Sequence, residues 1–363
     1  DFFILPRAFL KKIYNFYFLN IKKTDYFTKP INNDEIIKKD LFVKYLTSSF
    51  RFINFFLKLD GFISFNIFYN GEKYFEEVCK ILNKKFIILH KESALTPLEE
   101  TNAPKIYKKY NNKSLAHRIS VYSESQKKIL IKSKIANRNQ IIVNGCPRVD
   151  YAFRLRKIKP KKKVIVFYLI EYVRSKSSFA ILLNKERNAN YKDNDTKKSW
   201  KKLFDVTLKY IIDFAKNNSD VEVVLKGKTG VHKKNQFASN IFPKNCTFVE
   251  GGSGEGLLID ASVVIAFNST IVFETIASNR NLIIPNFHNE NKIKKNVLHN
   301  IRDKKYLVNS KKKLYKKINY YLNLNYKNKK ISSADIKTLR YYMGNTNGMS
   351  GRKMQKFINK IFL

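Results

Sequence analysis

The sequence predicts an α/β protein of two doubly wound domains facing a cleft. Short apolar runs alternate with amphipathic stretches in both halves of the chain, the pattern of strand–helix–strand units with parallel pairing and right-handed crossovers. An almost wholly basic stretch, 154–163, separates two such halves of similar size. The 363 residues, 44% of them hydrophobic, can bury about two domain cores, which excludes wholesale disorder. The expected organisation is a first domain over 1–153, a linker over 154–163, a second domain over 164–330 and C-terminal helices over 331–363.

The first unit reads as a strand at Gly61–Phe68, a helix over Gly71–Lys84 with Tyr74, Val78 and Ile81 on one face, and a strand at Phe86–His90 ending in the polar group His90-Lys91-Glu92-Ser93. A strand at Arg118–Tyr122, a helix at Ser125–Ser133 and a strand at Gln140–Val143 follow. That last strand runs into Asn144-Gly145-Cys146-Pro147-Arg148-Val149-Asp150, a turn signal. Beyond the basic stretch, Val164–Ile170 is a strand and Ser175–Lys198 a polar loop. Ser199 is placed to cap a helix whose apolar face carries Trp200, Leu203, Phe204, Leu208, Ile211 and Ala215. Strands at Val221–Leu225, Thr247–Val249, Val263–Phe267 and Leu282–Ile284 are interleaved with helices at Gly256–Ala261 and Thr270–Ser278.

The formal net charge of +42 admits three readings: neutralisation of nucleic-acid phosphates, attraction to an anionic membrane surface, or codon drift that spreads lysine over solvated faces. The lysines are scattered, since Lys161–Lys163, Lys233–Lys234 and Lys311–Lys313 lie far apart, and the aromatics fall on apolar strands and helix faces rather than within a basic patch. Both features weigh against a nucleic-acid partner. No apolar run is long enough to span a bilayer. The opening Asp1–Leu10 begins without Met and has no cleavage pattern, as in a fragment of a longer protein. Cys79, Cys146 and Cys246 form neither a C-x-x-C pair nor a disulfide framework, which fits a reducing cytoplasm.

The segment from Asp260 to Phe287 carries the chemistry. An apolar strand delivers Asn268, Ser269 and Thr270 to a helix start, where the side chains are expected to cap and the unpaired N–H groups to attract an anion. Glu274, one turn further on, can face the same pocket and accept the hydroxyls of a ribose.

This segment resembles the donor half of GT-B glycosyltransferases, in particular those of bacterial surface-carbohydrate and capsule biosynthesis. The resemblance extends to Glu250-Gly251-Gly252-Ser253-Gly254, similar to the loop bordering the nucleotide diphosphate, whose glycines let backbone N–H groups approach phosphate. It also extends to the Asn144–Asp150 turn and to Gly344-Asn-Thr-Asn-Gly348-Met-Ser350-Gly-Arg352 before the last helix. It implies two Rossmann-like domains with the C-terminal helix crossing back to the first, and it covers most of residues 60–363. The N-terminal strand with a glycine-rich turn that such enzymes carry is not recognisable in residues 1–60.

The resemblance implies a metal-independent glycosyltransferase moving a sugar from a nucleotide-activated donor to a polysaccharide or lipid-linked acceptor; the positive charge points to a cytoplasmic protein peripheral on the anionic inner face of the cell membrane. Lys226, Lys228, Gly251, Gly252, Ser253, Asn268, Ser269, Thr270 and Glu274 would hold the donor. A base is needed for the acceptor hydroxyl, and Glu92, just past a strand end, is the first choice with His90 second; Lys91 would hold Glu92 ionised. Asp60 and Glu124 stand behind them, while Arg148 and Asp150 are read as fixing their turn. Gly227-Lys228-Thr229 is not a P-loop, because Glu222 stands where that motif needs glycine. The five histidines have no metal-ligand spacing, Asp193-Asn-Asp195 lies in a polar stretch, and no G-x-S-x-G elbow occurs, so no metal or cofactor is expected. Rival readings are a nucleotide-sugar epimerase or a CDP-polyol phosphotransferase on the same fold, and, in another class, a basic nucleic-acid-binding protein.

Overall fold

The computed structural model describes residues 4, 7–19, 32–91, 97–110, 113–161, 163–169, 193–228, 242–267, 269–287, 304–324 and 331–363. Two parallel sheets organise them. The first contains β1 (Gly61–Ser64), β2 (Lys85–Leu89), β3 (Arg118–Val121) and β4 (Ile141–Val143), paired in sequence order. The second contains β5 (Val164–Tyr168), β6 (Glu222–Lys226), β7 (Cys246–Val249), β8 (Val263–Ile265), β9 (Asn281–Pro285) and β10 (Leu307–Val308), in the order β10-β9-β8-β5-β6-β7. This is the 3-2-1-4-5-6 order of nucleotide-binding sheets, with its reversal between β5 and β8.

Eleven helices flank the sheets among the described residues: α1 (Arg7–Tyr17), α2 (Asn33–Leu57), α3 (Asn70–Ile81), α4 (Pro97–Tyr110), α5 (Glu124–Lys132), α6 (Val149–Leu155), α7 (Asp193–Lys216), α8 (Ile271–Ala277), α9 (Lys311–Leu322), α10 (Ser333–Met343) and α11 (Ser350–Phe362). Side-chain alternation in the strands assigns each sheet two cores. In β5, Val164, Val166 and Tyr168 join α6, α8 and α10, while Ile165 and Phe167 join α7 and α9. In the first sheet, Phe86, Ile88, Ile119, Val121 and Ile141 face α1 to α5. Ile63, Ile87, Leu89 and Ile142 face α11, whose Met354 and Phe357 cover them. The last helix therefore packs on the first sheet, the crossing-back expected of the fold.

Three local expectations are corrected. The helix around Trp200 begins at Asp193, so Ser199 lies inside it and does not cap it, and Asp193-Asn-Asp195 is helical rather than looped. Ser123, not Ser125, opens α5, its hydroxyl accepting from the Gln126 N–H at 3.4 Å. The basic stretch is only partly a linker. Arg154 and Leu155 complete α6, a helix buried in the second core. Beyond it, Lys161 pairs with Asp260 at 3.0 Å and Lys163 with Asp220. Basic composition marked a surface-running segment, but α6 is held by Val149, Ala152, Phe153 and Leu155, an apolar set interspersed with the charges. Where a strand and glycine-rich turn were not recognised, the described part of 1–60 forms α1 and α2 instead.

A buried carboxylate makes the first core pH-sensitive. Glu76 on α3 is 2% exposed and accepts from Ser114 Oγ at 3.0 Å and Leu115 N at 2.6 Å. Burial pushes its carboxyl up to about 7, against the opposing pull of Lys73 and of these hydrogen bonds. An unfolded glutamic acid releases its proton at lower pH, so between those two values the folded chain binds the extra proton. Stability from this group is therefore lost as pH rises towards 7. A Glu76→Gln variant keeps both partners and is expected to gain on wild type by about 3 kcal/mol at most near pH 8 and by little near pH 5. Paired denaturant titrations at the two pH values measure that difference and cancel the background of the basic chain; a variant less stable than wild type at both would contradict it.

Candidate functional site

The carboxyl ends of β5, β6, β7 and β8 converge beside the strand-order reversal, where open α/β sheets bind ligands. Each end contributes one part. Tyr168, the last residue of β5, donates its hydroxyl to the Gly254 carbonyl at 2.6 Å, and its ring lies 3.0 Å from where a Cβ on Gly254 would sit. Lys226, the last residue of β6, is buried and donates its ammonium to the carbonyls of Gly227 (2.8 Å) and Gly251. Burial lowers its pKa. After β7 the chain turns through Gly251 (φ +68°) and Gly252 (φ +67°), a left-handed pair that glycine adopts without strain. Among the described residues nothing lies within 4 Å of the space a Gly252 side chain would fill, so on that side the loop's outer edge is open to a ligand. Lys226 thus anchors the loop instead of extending towards a phosphate; Lys228 is exposed.

After β8, Ser269 and Thr270 lead into α8. Thr270 occupies the N-cap with helical backbone angles (φ −59°, ψ −23°) and makes no side-chain cap bond. The first turn closes through the backbone, Val272 N donating to Ser269 O (3.1 Å) and Phe273 N to Thr270 O (3.0 Å). Side-chain capping needs an extended N-cap residue, so the expected caps do not form. Both residues are exposed, and among the described residues their hydroxyls make only a 3.5 Å contact, from Ile271 N to Ser269 Oγ. Asn268 lies outside the described residues.

Glu274 is the centre of this arrangement. Its side chain is 1% exposed, yet Oε1 lies 3.1 Å from Arg148 Nε while Oε2 is buried with no hydrogen-bond partner among the described residues. Burial pushes its carboxyl up to about 7; Arg148 opposes the shift and Glu255 adds to it. Arg148, assigned from the sequence to its turn, also meets Glu255 Oε1 at 2.7 Å and so ties the turn after β4 to the glycine loop and to α8. The arginine was missed because its partners lie more than a hundred residues away, although a cation in a turn between two domains was a usable signal. An orphaned buried carboxylate oxygen is costly and rare, and calls for a donor that the described residues do not supply.

Asp150 closes its turn only through the backbone, its N–H donating to Pro147 O at 2.9 Å, while its side chain reaches elsewhere. Its carboxylate accepts from Ser350 N (3.1 Å), Gly351 N (2.7 Å) and Asn345 Nδ2 (2.5 Å), capping α11, which has no side-chain cap of its own. Cys146 N donates to Met343 O at 2.8 Å and Asn345 Nδ2 to Cys146 O at 3.0 Å. The two motifs around 144–150 and 344–352 therefore form one joint between the domains.

On the first domain, His90 follows β2 and is 1% exposed, with its backbone N–H bonded to Ser120 O at 2.9 Å and its ring edge-on to Phe68. Glu92 and Ser93 lie outside the described residues. Asp60 precedes β1, at the opposite end of its strand, whereas Glu124 opens α5 just after the carboxyl end of β3, on the same sheet edge as His90. No group of three or more metal-ligating His, Cys, Asp or Glu side chains occurs among the described residues.

This arrangement defines the class: a two-domain α/β protein of GT-B type with a polar site at the switch point of its second sheet. Among solved structures, a protein described as a UDP-N-acetylglucosamine 2-epimerase from Listeria monocytogenes aligns over 89% of this chain and 80% of its own, with TM-score 0.50 and 10% identity. The UDP-GlcNAc 2-epimerase of Methanocaldococcus jannaschii, solved with UDP-GlcNAc and UDP, aligns over 92% and 82% with TM-score 0.45 and 13% identity. The wall teichoic acid polymerase TagF aligns over 97% and 93% with TM-score 0.44 and 12% identity. The Listeria match shows the fold, and at 10% identity nothing finer. No family model matches the sequence, and no curated protein matches it.

Proposed function

We propose that the protein is a glycosyltransferase that takes a sugar from a nucleotide-activated donor and passes it to a polysaccharide or lipid-linked saccharide, without a metal. The observation that carries this reading is Glu274: a carboxylate buried at the switch point, one oxygen held by Arg148 and the other lacking a donor. Two vicinal hydroxyls of a ribose supply the missing donors. The diphosphate then lies over Gly251, Gly252 and Ser253 and the hydroxyls of Ser269 and Thr270, where open glycine backbone and a positive surrounding field favour an anion.

In this reading Lys226 shapes the phosphate loop through its two carbonyls, and Lys228 supplies charge at the rim. Stabilising the nucleotide diphosphate as it departs is the second domain's chemical task. The acceptor's proton goes to Glu92; the enclosed His90 positions the end of β2. The joint at Asp150 and Asn345 sets how the two domains meet across the cleft, which excludes water as a competing acceptor.

Thermal unfolding in the presence of UDP-, CDP- and GDP-linked sugars tests the reading. The cognate donor at about a hundred times its Kd should add about 2.7 kcal/mol to stability, and sugar should leave it only when an acceptor saccharide is present. No stabilisation by any nucleotide would overturn the proposal. Conversion of a nucleotide sugar to its epimer without acceptor would identify an epimerase, and release of CMP from a CDP-polyol a phosphotransferase.

A further inference from the structure

Helix α2 is apolar on two opposite faces. Phe42, Val43, Leu46 and Phe50 are buried in the first core. On the other side Ile37, Leu41, Tyr45, Phe52, Phe55 and Phe56 recur at helical spacing and are all exposed, the three phenylalanines to 68%, 77% and 64%. Their rings touch one another, Phe52 to Phe56 at 5.1 Å and Phe55 to Phe56 at 5.2 Å between centroids, forming a ridge instead of scattered singletons. Lys44, Arg51 and Lys58, seven residues apart, run along one border of this stripe and make no ion pair among the described residues. Asp40 lies one turn before Lys44, and no acidic residue occurs between it and Asp60, so the border is cationic from Lys44 to Lys58. An exposed apolar stripe of this extent marks a contact surface.

We infer that this face of α2 lies on an anionic lipid bilayer, the aromatic ridge entering the headgroup region and Lys44, Arg51 and Lys58 pairing with lipid phosphates. The charge pattern selects this occupant. A second copy of the chain would bring the same cationic border, and a charge of +42, against its own kind. A nucleic-acid duplex keeps its bases stacked inside and offers the ridge no apolar counterpart, and the aliphatic Ile37 and Leu41 are no stacking platform for a single strand. An interfacial helix with aromatics on one face and a basic flank suits the bilayer surface. No helix among the described residues is long and apolar enough to cross the membrane, so the attachment is lateral. The inference does not depend on the nucleotide reading, because its measurement needs no nucleotide.

Sedimentation with vesicles tests it. At low salt the protein should pellet with vesicles of equal parts phosphatidylglycerol and phosphatidylcholine, and much less with phosphatidylcholine alone. The variant F52S/F55S/F56S should lower the partition coefficient at least about tenfold, and K44E/R51E/K58E roughly a hundredfold. Thermal midpoints of both should match wild type, since the changed side chains are exposed. Should the triple variant not fold, Phe55→Ser alone must still weaken binding several-fold. Three results would overturn the inference: no binding of wild type to anionic vesicles at low salt, undiminished binding by both variants, or a wild-type dimer that Phe52, Phe55 and Phe56 hold together without any vesicle binding.

Discussion

A Glu274→Gln variant is expected to bind the nucleotide-sugar donor roughly thirtyfold more weakly, a loss of about 2 kcal/mol, while folding normally. Glutamine keeps the size of the side chain, so the packing of α8 in the second core survives. What changes is the acceptor: the oxygen that lacks a partner among the described residues is replaced by a group that offers hydrogens to hydroxyls already donating. The wild-type carboxyl, pushed by burial up to about 7, adds a pH signature. Donor affinity should rise as pH climbs through about 7 and this group ionises, and the rise should vanish in the glutamine variant. A nucleotide sugar is the right probe, because its esterified diphosphate does not titrate there as a terminal phosphate does. Removing the cation in an Arg148→Met variant should move the same transition to higher pH, since Arg148 is what favours the ionised form. Calorimetric titrations across pH measure all three. Equal affinity and an unchanged pH profile for Glu274→Gln would remove Glu274 from the donor site.

The second large effect concerns folding. Gly344 closes α10 in the left-handed region at φ +57°. A Cβ there would overlap the carbonyl oxygen of Tyr122, approach its carbon to 2.8 Å and come within 3.3 Å of the Gly145 Cα. All three are main-chain atoms and cannot rotate away. Gly344→Ala is therefore expected to destabilise the protein by about 3–5 kcal/mol, combining overpacking with the cost of a left-handed alanine. That is a large fraction of the total stability of a typical domain. Gly252→Ala serves as the control. It carries the same kind of backbone at φ +67° but has nothing within 4 Å of its Cβ among the described residues, so only the conformational cost of about 1–2 kcal/mol applies. Urea denaturation of both variants separates collision from conformation. Similar losses for the two would show that the joint around Gly344 yields.

Much of the site was readable because its signals are local. The helix start after β8, the glycine pair after β7 and Glu274 one turn into α8 are neighbours along the chain, and local pattern suffices to place them. The roles of Lys226, Arg148 and Asp150 were not readable in this way. Whether Lys226 reaches out to a ligand or back to the Gly251 carbonyl depends on where β7 ends relative to β6. Whether Arg148 serves its own turn or Glu274 depends on how α6 packs on α8. The helix at 33–57 escaped for a different reason. With α2 apolar on two opposite faces, its periodicity averages out.

By itself the sequence determined the two alternating α/β halves and the polar helix start that follows an apolar strand, because hydrophobic period and cap chemistry act within a few residues. Only the tertiary structure decided the reversal of strand order between β5 and β8, the seat of α11 on the first sheet, and the meeting of Asp150 with Ser350 and of Arg148 with Glu274. An apolar face specifies that something must cover it, and a carboxylate that something must pair with it. Which distant segment answers is settled when the whole chain packs at once.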